Sequence, residues 1–362
     1  MIMRIKKALF LGTLCTAVSG MSLFAQAGVS YAKSAKETTE ASSEEATEVE
    51  TEEETSEEVT YPITIEHAFG ETVIESKPER IATVGWGNQD TPLALGIAPV
   101  GVSAANYGLV TDHKLHLWTD EAFADLGVEE PVVFDDVDGL DFEQISDCNP
   151  DVILAAYSGM TQEDYDTLSQ IAPVIPYKEN PWQTSWREQT IENAEGMGMK
   201  PEGEKKVEEV EDLIAEKLEE YPELEGIPTA FCWISADDFS TFYVYLPTDP
   251  RAAYLLDLGF TLPESVQKLA GESNDFSITV SRENADQLDD IEMMVVYGDE
   301  NLVETLQEDK LMSQIPAIKN GAVVVLDSTS ALAASSTPSI LSIPYEIDEY
   351  LEMFAKAAEN IK

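Results

Sequence analysis

Short apolar runs alternate with helical patterns along most of the chain, and the clearest example occupies residues 78–102. Residues 81–84 form a β-branched run that suits a buried strand, and two glycines then flank Trp86. A brief helix over residues 93–95 stops at Gly96, and a second strand begins at residues 99–102. Ligands of open α/β sheets lie at strand ends, so this pattern places Trp86 where a ligand would bind.

The same order of elements returns in the second half of the chain. Strands are predicted over residues 227–234 and 242–246, followed by a helix that begins at Asp249 and Pro250 and stops at Gly259. A helix and strand over residues 278–297 then repeat the pattern of residues 141–154. The chain therefore contains two related α/β lobes.

Other periodic segments complete this plan. Residues 61–67 and 70–74 predict a hairpin that carries His67 on its surface, and residues 321–327 predict a last strand. Apolar positions at helical spacing predict a long helix over residues 201–221 and a closing amphipathic helix over residues 344–359.

Composition and charge exclude several classes of partner. The chain has 362 residues, 43% of them hydrophobic, and a formal net charge of −49. Residues 1–60 carry 5 basic and 11 acidic residues, so the remainder still carries −43. Such acidity disfavours binding to nucleic acid and to anionic membrane surfaces. It is typical of a protein that must stay soluble in an extracellular setting.

The first 60 residues predict an exported protein on a flexible spacer. Residues 1–27 have the basic start, apolar run and small-residue end of a signal peptide. The apolar run is long for a signal peptide, so the alternative is that it stays uncleaved as a membrane anchor. Cys15 lies inside that run and fits a lipoprotein box poorly, so the mode of attachment stays open. Residues 28–60 are rich in Glu, Ser and Thr and predict an acidic disordered linker.

Three candidate chemistries are disfavoured by the residues themselves. A dinucleotide fingerprint that starts at Gly85 would need a third glycine where Asp90 stands, and a nucleophile elbow at Ser158 lacks its first glycine. His113 and His116 could share a helical turn and hold zinc, but a pocket-rim helix is favoured.

The two cysteines of the exported part, Cys148 and Cys232, are predicted to be buried free thiols.

Several motifs, taken in order, resemble one family. They are PERI at residues 78–81 with LALGIAPVGV at residues 93–102, a helix with Glu143 followed by Pro150 and Asp151, and Trp182 and Trp186 before a Gln-Thr pair. This order is similar to that of ferric-siderophore substrate-binding proteins of ABC importers, and the resemblance covers residues 62–360.

The resemblance implies a fold and an organisation. It implies two Rossmann-like α/β lobes joined by a long rigid helix, the class III periplasmic-binding fold. The N-terminal lobe would occupy residues 61–190, the connecting region residues 191–226 and the C-terminal lobe residues 227–362.

The resemblance also implies a function without catalysis. The protein would capture a ferric siderophore outside the cell and deliver it to an ABC permease and its ATPase, as a monomer with no permanently bound cofactor. Haem, cobalamin or another iron chelate is the alternative ligand. A secreted enzyme and a surface adhesion module are the alternatives from other classes.

The site residues follow from the same resemblance and from the strand ends. The predicted ligand contacts are Trp86, Trp118, Tyr157, Trp182, Trp186, Trp233 and Arg251. Trp182 and Trp186 could instead form a core ridge, and Arg251 could instead pair with Asp249 or Asp257. Glu143 and Glu283, one in each lobe, are predicted to dock on permease arginines, with ordinary solvated helix positions as the alternative.

Overall fold

Two five-stranded sheets take their strands from the β-branched runs of the two halves of the chain. The computed structural model describes residues 59–136, 139–235, 237–299 and 301–362. The predicted signal, and the predicted linker up to residue 58, lie outside the described residues. Within these ranges no helix is both long and apolar enough to cross a membrane.

The first lobe consists of a hairpin, a parallel sheet and five helices. Its strands are β1 (Ile63–His67), β2 (Gly70–Ile74), β3 (Ile81–Thr83), β4 (Gly101–Ser103), β5 (Val133–Phe134), β6 (Val152–Ala155) and β7 (Val174–Pro176). Its helices are α1 (Asp90–Ala94), α2 (Leu117–Asp125), α3 (Phe142–Asp147), α4 (Gln162–Leu168) and α5 (Trp186–Gly196).

The sheet of the first lobe has the order β5-β4-β3-β6-β7, and all its pairs are parallel. Successive strands extend the sheet in one direction from β3 and in the other direction from β6. The switch point of the topology therefore lies between β3 and β6, and this is where open α/β sheets bind ligands.

The hairpin of β1 and β2 is confirmed, but the predicted surface position of His67 is wrong. His67 is only 8% exposed, and its Nε2 lies 2.9 Å from the Thr72 hydroxyl. That hydroxyl donates to the Val174 carbonyl of β7 at 2.7 Å, so the hairpin folds onto the sheet. Alternation identified the strand but could not show that a sheet edge would cover its last residue.

A single long helix, α6 (Lys200–Leu218), connects the two sheets. It ends three residues before the predicted boundary, and Pro222 begins a 3₁₀ turn (Pro222–Leu224) instead. Val207, Val210 and Ile214 of its apolar stripe are buried in a core shared with the second lobe. The apolar face of this amphipathic helix therefore packs against the second lobe of the same chain.

The second lobe has a mixed sheet and six helices, with two further 3₁₀ turns. Its strands are β8 (Thr229–Trp233), β9 (Thr241–Tyr245), β10 (Ser277–Ser281), β11 (Met293–Tyr297) and β12 (Val323–Leu326). Its helices are α7 (Pro250–Asp257), α8 (Glu264–Ala270), α9 (Leu302–Glu308), α10 (Pro316–Asn320), α11 (Ala331–Ser335) and α12 (Ser342–Ala358), with 3₁₀ turns at Arg282–Gln287 and Met312–Gln314.

The sheet of the second lobe has the order β10-β9-β8-β11-β12. β8, β11 and β12 run parallel, whereas β9 is antiparallel to both β8 and β10. The chain passes from β8 to β9 through residues 234–240 alone, which is too short for a parallel crossover. The lobes thus share the parallel centre of their sheets and differ at one edge.

Both cysteines of the described region are free and buried, as predicted. Cys148 belongs to the core of the first lobe and Cys232 to the core of the second, so the two thiols serve as apolar packing groups. Burial raises the pKa of each thiol, most strongly that of Cys232.

Several acidic side chains are buried, and this affects stability. Burial raises the pKa of Glu192 in α5 to about 8, and Glu188 adds to this by charge repulsion. One carboxylate oxygen of Glu192 is buried without a hydrogen-bond partner. Burial likewise raises the pKa of Glu346 to about 7 and that of Asp90 to about 6. The folded state therefore holds these protons more tightly than the unfolded chain does.

We expect the free energy of unfolding to fall as the pH rises from about 5 to 8. Groups that bind protons more tightly when folded stabilise the fold at low pH, and this contribution is lost as the pH rises through the folded-state pKa. Glu192→Gln should flatten the dependence, whereas Glu204→Gln, at an exposed position of α6, should leave it unchanged. Urea unfolding at pH 5, 6.5 and 8 measures this, and stability that increases with pH would contradict it.

Candidate ligand-binding cleft

The loop after β3 carries Trp86 at the switch point of the first sheet. Gly85 and Gly87 have positive φ values of 84° and 68°, which favour glycine. A Cβ on Gly85 would lie 2.6 Å from the Tyr157 carbonyl oxygen, so the loop can only approach the end of β6 with glycine there. The Trp86 N–H donates to that same carbonyl at 3.2 Å. The two predicted contacts Trp86 and Tyr157 are therefore neighbours.

Aromatic rings form the wall of the cleft on the first lobe. The Trp182 ring meets Trp86 edge-on at a centroid distance of 5.8 Å and Tyr157 edge-on at 5.3 Å. The Trp86 ring stacks on Tyr107 at 6.5 Å. Trp182 is 36% exposed and has a positive φ of 61°, a conformation rare for a bulky residue. Such strain is found where the surroundings hold a side chain in a required position.

A cavity of about 320 Å³ opens beside this wall. Trp86 and Trp182 line it together with Ser158, Met160 and Asp136. The Ser103 hydroxyl lies 2.5 Å from Asp136, and burial raises the pKa of that carboxyl. A few polar groups among apolar rings are the usual composition of a small-molecule site.

The opposite wall comes from the second lobe and is centred on Arg251. Its guanidinium lies 3.9 Å from the centroid of the Tyr245 ring and donates to Asp249 through Nε at 2.8 Å and Nη2 at 2.6 Å. Asp249 also caps α7, as predicted, by accepting from the Arg251 N–H. The alternative pairing with Asp249 is thus formed, while Asp257 pairs with Arg187 instead.

Tyrosine rings connect the two walls. Tyr297, at the end of β11, meets Tyr107 edge-on at a centroid distance of 5.5 Å. A second link between the lobes is the Gln183 side chain, which donates to the Asn274 carbonyl at 3.1 Å. These contacts place the strand ends of both lobes on either side of one cleft.

The electrostatics of the cleft favour neutral phenols beside one stable cation. Burial raises the pKa of Tyr245 to about 12 and also raises the pKa values of Tyr107, Tyr157 and Tyr297. Burial disfavours the charged guanidinium of Arg251, but hydrogen bonds and charge from Asp249 hold its pKa above the usual range. The cleft therefore offers hydroxyl donors and one guanidinium whose charge Asp249 balances.

Two of the predicted ligand contacts lie in the protein interior. Trp186 is 2% exposed, belongs to the core of the second lobe and donates its indole N–H to Asp257 at 3.0 Å. Trp118 is 5% exposed and donates its indole N–H to the buried Asp90 at 2.9 Å. Both indole N–H groups thus have hydrogen-bond partners inside the protein. Trp186 is a core residue, which is the alternative to a ligand contact, and Trp118 lines a small cavity of about 30 Å³.

Trp233 lies at the end of β8, and 42% of its surface is exposed. Its cross-strand partner is Tyr243 on β9, at a centroid distance of 5.7 Å. Side chains two positions apart share a face of a strand, so Tyr243 and Tyr245 point the same way. Trp233 and Tyr243 thus continue outward the aromatic surface that begins beside Arg251.

Tyr107, Tyr245 and Tyr297 belong to the cleft but were absent from the predicted site. The sequence could have predicted Tyr297, because this residue ends the strand that corresponds, in the second lobe, to the strand before Tyr157. Tyr107 lies in the loop after β4, and only the folded chain brings it to Tyr297.

Glu143 and Glu283 occupy matching positions outside the cleft. Glu143 is exposed in α3 directly before β6, and Glu283 is exposed in the 3₁₀ turn directly before β11. Their flanking residues have the same succession of buried and exposed positions. Each lobe therefore presents one equivalent acidic side chain.

The candidate zinc pair is not arranged on one helical turn. His113 lies before α2 and its Nδ1 is 2.8 Å from Asp120, while His116 Nε2 donates to the Tyr107 carbonyl at 3.1 Å. Among the residues that the structure describes, no group of three or more His, Cys, Asp or Glu side chains could hold a metal ion.

Two α/β lobes joined by one helix, with an aromatic cleft at facing strand ends, define a two-lobed solute-binding protein. The Periplasmic binding protein family matches residues 81–329, and the chain belongs to that family.

Similar proteins with known names agree with this class. A crystal structure of PiaA from Streptococcus pneumoniae TIGR4, in complex with ferrichrome, is 47% identical, has a TM-score of 0.80, and aligns over 83% of this chain and 100% of its own. The petrobactin-binding protein YclQ of Bacillus subtilis is 24% identical over 80% of this chain and 88% of its own length. SirA of Staphylococcus aureus, solved with staphyloferrin B, is 22% identical with a TM-score of 0.61 and supports the fold.

We expect Arg251→Ala to lower the free energy of unfolding by about 2 kcal/mol or more, because the buried Asp249 would lose its charged partner. Combining it with Asp249→Ser removes the buried charge and keeps a capping oxygen, so the double variant should recover most of the loss. Urea unfolding of the three proteins measures this. A double variant no more stable than Arg251→Ala would show that the pair does not determine stability.

Proposed function

We propose that this protein captures a ferric siderophore outside the cell and delivers it to an ABC permease for iron uptake. The observation that carries the proposal is the pair of facing walls, with aromatic rings on one side and Arg251 among tyrosines on the other. Likeness to PiaA, whose structure contains ferrichrome, at 47% identity over most of both chains supports it.

The cleft suits the chemistry of a ferric chelate. Flat rings such as Trp86 and Trp182 provide contact area for a bulky organic shell at low entropic cost. A guanidinium donates well-oriented hydrogen bonds to the oxygen atoms around the iron, and neutral phenols add further donors. Such a site binds and releases its ligand unchanged, so no step requires catalysis.

The charge of the protein favours one group of chelates. Asp249 already balances Arg251, and the whole chain carries −49. Strongly anionic ferric catecholates would be repelled, whereas ferric hydroxamates such as ferrichrome carry little charge. We therefore propose a ferric hydroxamate as the ligand, with no permanently bound cofactor.

Export and partners complete the proposal. The predicted signal and acidic linker would place the folded part at the cell surface, as a monomer that meets a permease and its ATPase. Glu143 and Glu283, exposed and equivalent in the two lobes, would contact permease arginines.

Ferrichrome should quench the tryptophan fluorescence of the protein in a saturable way, because its coloured iron centre would lie beside Trp86 and Trp182. Trp182→Ala should weaken binding roughly threefold to tenfold through the loss of ring contact. Tyr345→Ala removes an exposed aromatic ring that lines none of the cleft cavities and serves as the matched control.

The same titration should include a ferric catecholate, a ferric carboxylate, haemin and cobalamin. Tight binding of haemin or cobalamin, with none of ferrichrome, would replace the proposed ligand. The absence of saturable binding for all five would overturn the proposal.

Reversing both exposed glutamates should separate transport from binding. The Glu143→Arg and Glu283→Arg double variant should lose iron uptake while its ferrichrome affinity stays within twofold, because both side chains lie outside the cleft. A double reversal of exposed Glu204 and Glu304 controls for the change in net charge. Normal uptake by cells that carry only the first variant would refute the docking role.

A further inference from the structure

Three amide side chains are buried between the Trp86 loop and helix α5. Asn88 and Asn193 have no exposed surface and Gln189 is 3% exposed. Asn88 follows Trp86 by two residues, and the other two lie one turn apart on one face of α5. Buried amides are costly unless they are hydrogen-bonded, so their bonds indicate what they hold in place.

The cluster holds the backbone on both sides of Trp86. Asn88 donates to the carbonyls of Val84 at 2.8 Å and Tyr157 at 2.9 Å, and its Oδ1 accepts from the Tyr157 N–H at 3.1 Å. That Oδ1 also accepts from Asn193 at 3.0 Å.

Gln189 connects this cluster directly to the residue that carries the ring. Its Nε2 donates to the Trp86 carbonyl at 2.7 Å and to Asn88 Oδ1 at 3.2 Å. One amide nitrogen of α5 thus supports both the main chain of Trp86 and the side chain that anchors the loop. A Cβ on Gly87 would lie 3.3 Å from the same nitrogen, so the loop is closely packed there.

The first turn of α5 is bound to the opposite wall of the cleft. Trp186 donates to Asp257 at 3.0 Å, and Arg187 Nη1 donates to the same carboxylate at 2.8 Å. Asp257 is the last residue of α7, and Arg251 lies in the first turn of that helix. A single helix therefore contacts the element that carries Trp86 and the element that carries Arg251.

We propose that Gln189 is a positioning residue that, through the Trp86 carbonyl, sets where the Trp86 ring stands relative to the Arg251 wall. This inference rests on the proposed function, because it assigns Gln189 the task of shaping the siderophore cleft without touching the ligand. The amide is required because both groups that it meets are acceptors. A carboxylate would repel them, and an aliphatic side chain would leave both without this donor.

The first experiment uses the full chain without ligand. Fluorine NMR of protein labelled with fluorotryptophan resolves the indole environments, and the Trp86→Phe variant assigns the Trp86 signal. Gln189→Leu should shift or broaden that signal and spare that of Trp233, which lies on the other lobe. An unchanged Trp86 signal would overturn the proposal.

The second experiment measures ferrichrome affinity at pH 5 and pH 8. Gln189→Leu should bind about tenfold more weakly at both values, since two hydrogen bonds are lost. Gln189→Glu should be as weak at pH 8 but recover at pH 5, because a protonated carboxyl can donate to the Trp86 carbonyl. Recovery of affinity at pH 5 would show that Gln189 positions Trp86, because a general loss of stability would not be reversed in this way. The Gln189→Glu variant can still be measured if the Gln189→Leu variant folds poorly.

Controls separate this inference from the proposed function. Each variant is compared with the wild type at the same pH, which cancels the titration of the nearby Asp90. Gln170→Glu, the same change at an exposed position of the same lobe, should have no effect. A ferrichrome affinity of Gln189→Glu within twofold of the wild type at both pH values would overturn the positioning role of Gln189. Failure of the wild type to bind ferrichrome would contradict the proposed ferric hydroxamate ligand alone, and the fluorine spectrum would still test Gln189.

Discussion

The burial of Trp186 in the core of the second lobe is the contact on which the arrangement of the two lobes depends. Helix α5 belongs to the first lobe, yet its first residue packs among the apolar side chains of the second and donates to Asp257. Arg187 lies over the Trp186 ring at 4.4 Å and pairs with Asp257 and Glu211. Rotation of the lobes about α6 would pull the Trp186 ring out of this core and break its bond to Asp257, so these contacts oppose such a movement.

The two lobes are alike in topology but differ in chemistry. Each offers the ends of two adjacent parallel strands to the cleft, which is why Tyr157 and Tyr297 occupy corresponding positions. The first lobe adds the indoles of Trp86 and Trp182, whereas the second adds Arg251 and its balancing Asp249. A ligand between them meets flat apolar surface on one side and donors on the other, and this combination suits an organic shell around oxygen-bound iron.

The acidity of the chain has different consequences on the surface and inside. Exposed acidic side chains keep the protein soluble and repel anionic partners. Those that the fold buries, Glu192, Glu346 and Asp90, retain protons to higher pH because desolvation disfavours their charged forms. Beside the Arg251 wall, the buried carboxylate of Asp249 is paired with Arg251, so this pair adds no net charge to the cleft.

Local patterns determined the order of strands and helices, the cap at Asp249, and the position of Trp86 at a strand end, because each depends on neighbours within a few residues. Spacing could not separate Trp182 from Trp186: the first stands exposed on the cleft, while the second begins α5 and is buried in the other lobe. Helical spacing would place both rings on one face, but Trp182 lies before α5 with a positive φ, so only the folded chain shows where each ring stands. The contact of Tyr107 with Tyr297 has the same origin, since it forms only once both sheets are assembled and joined.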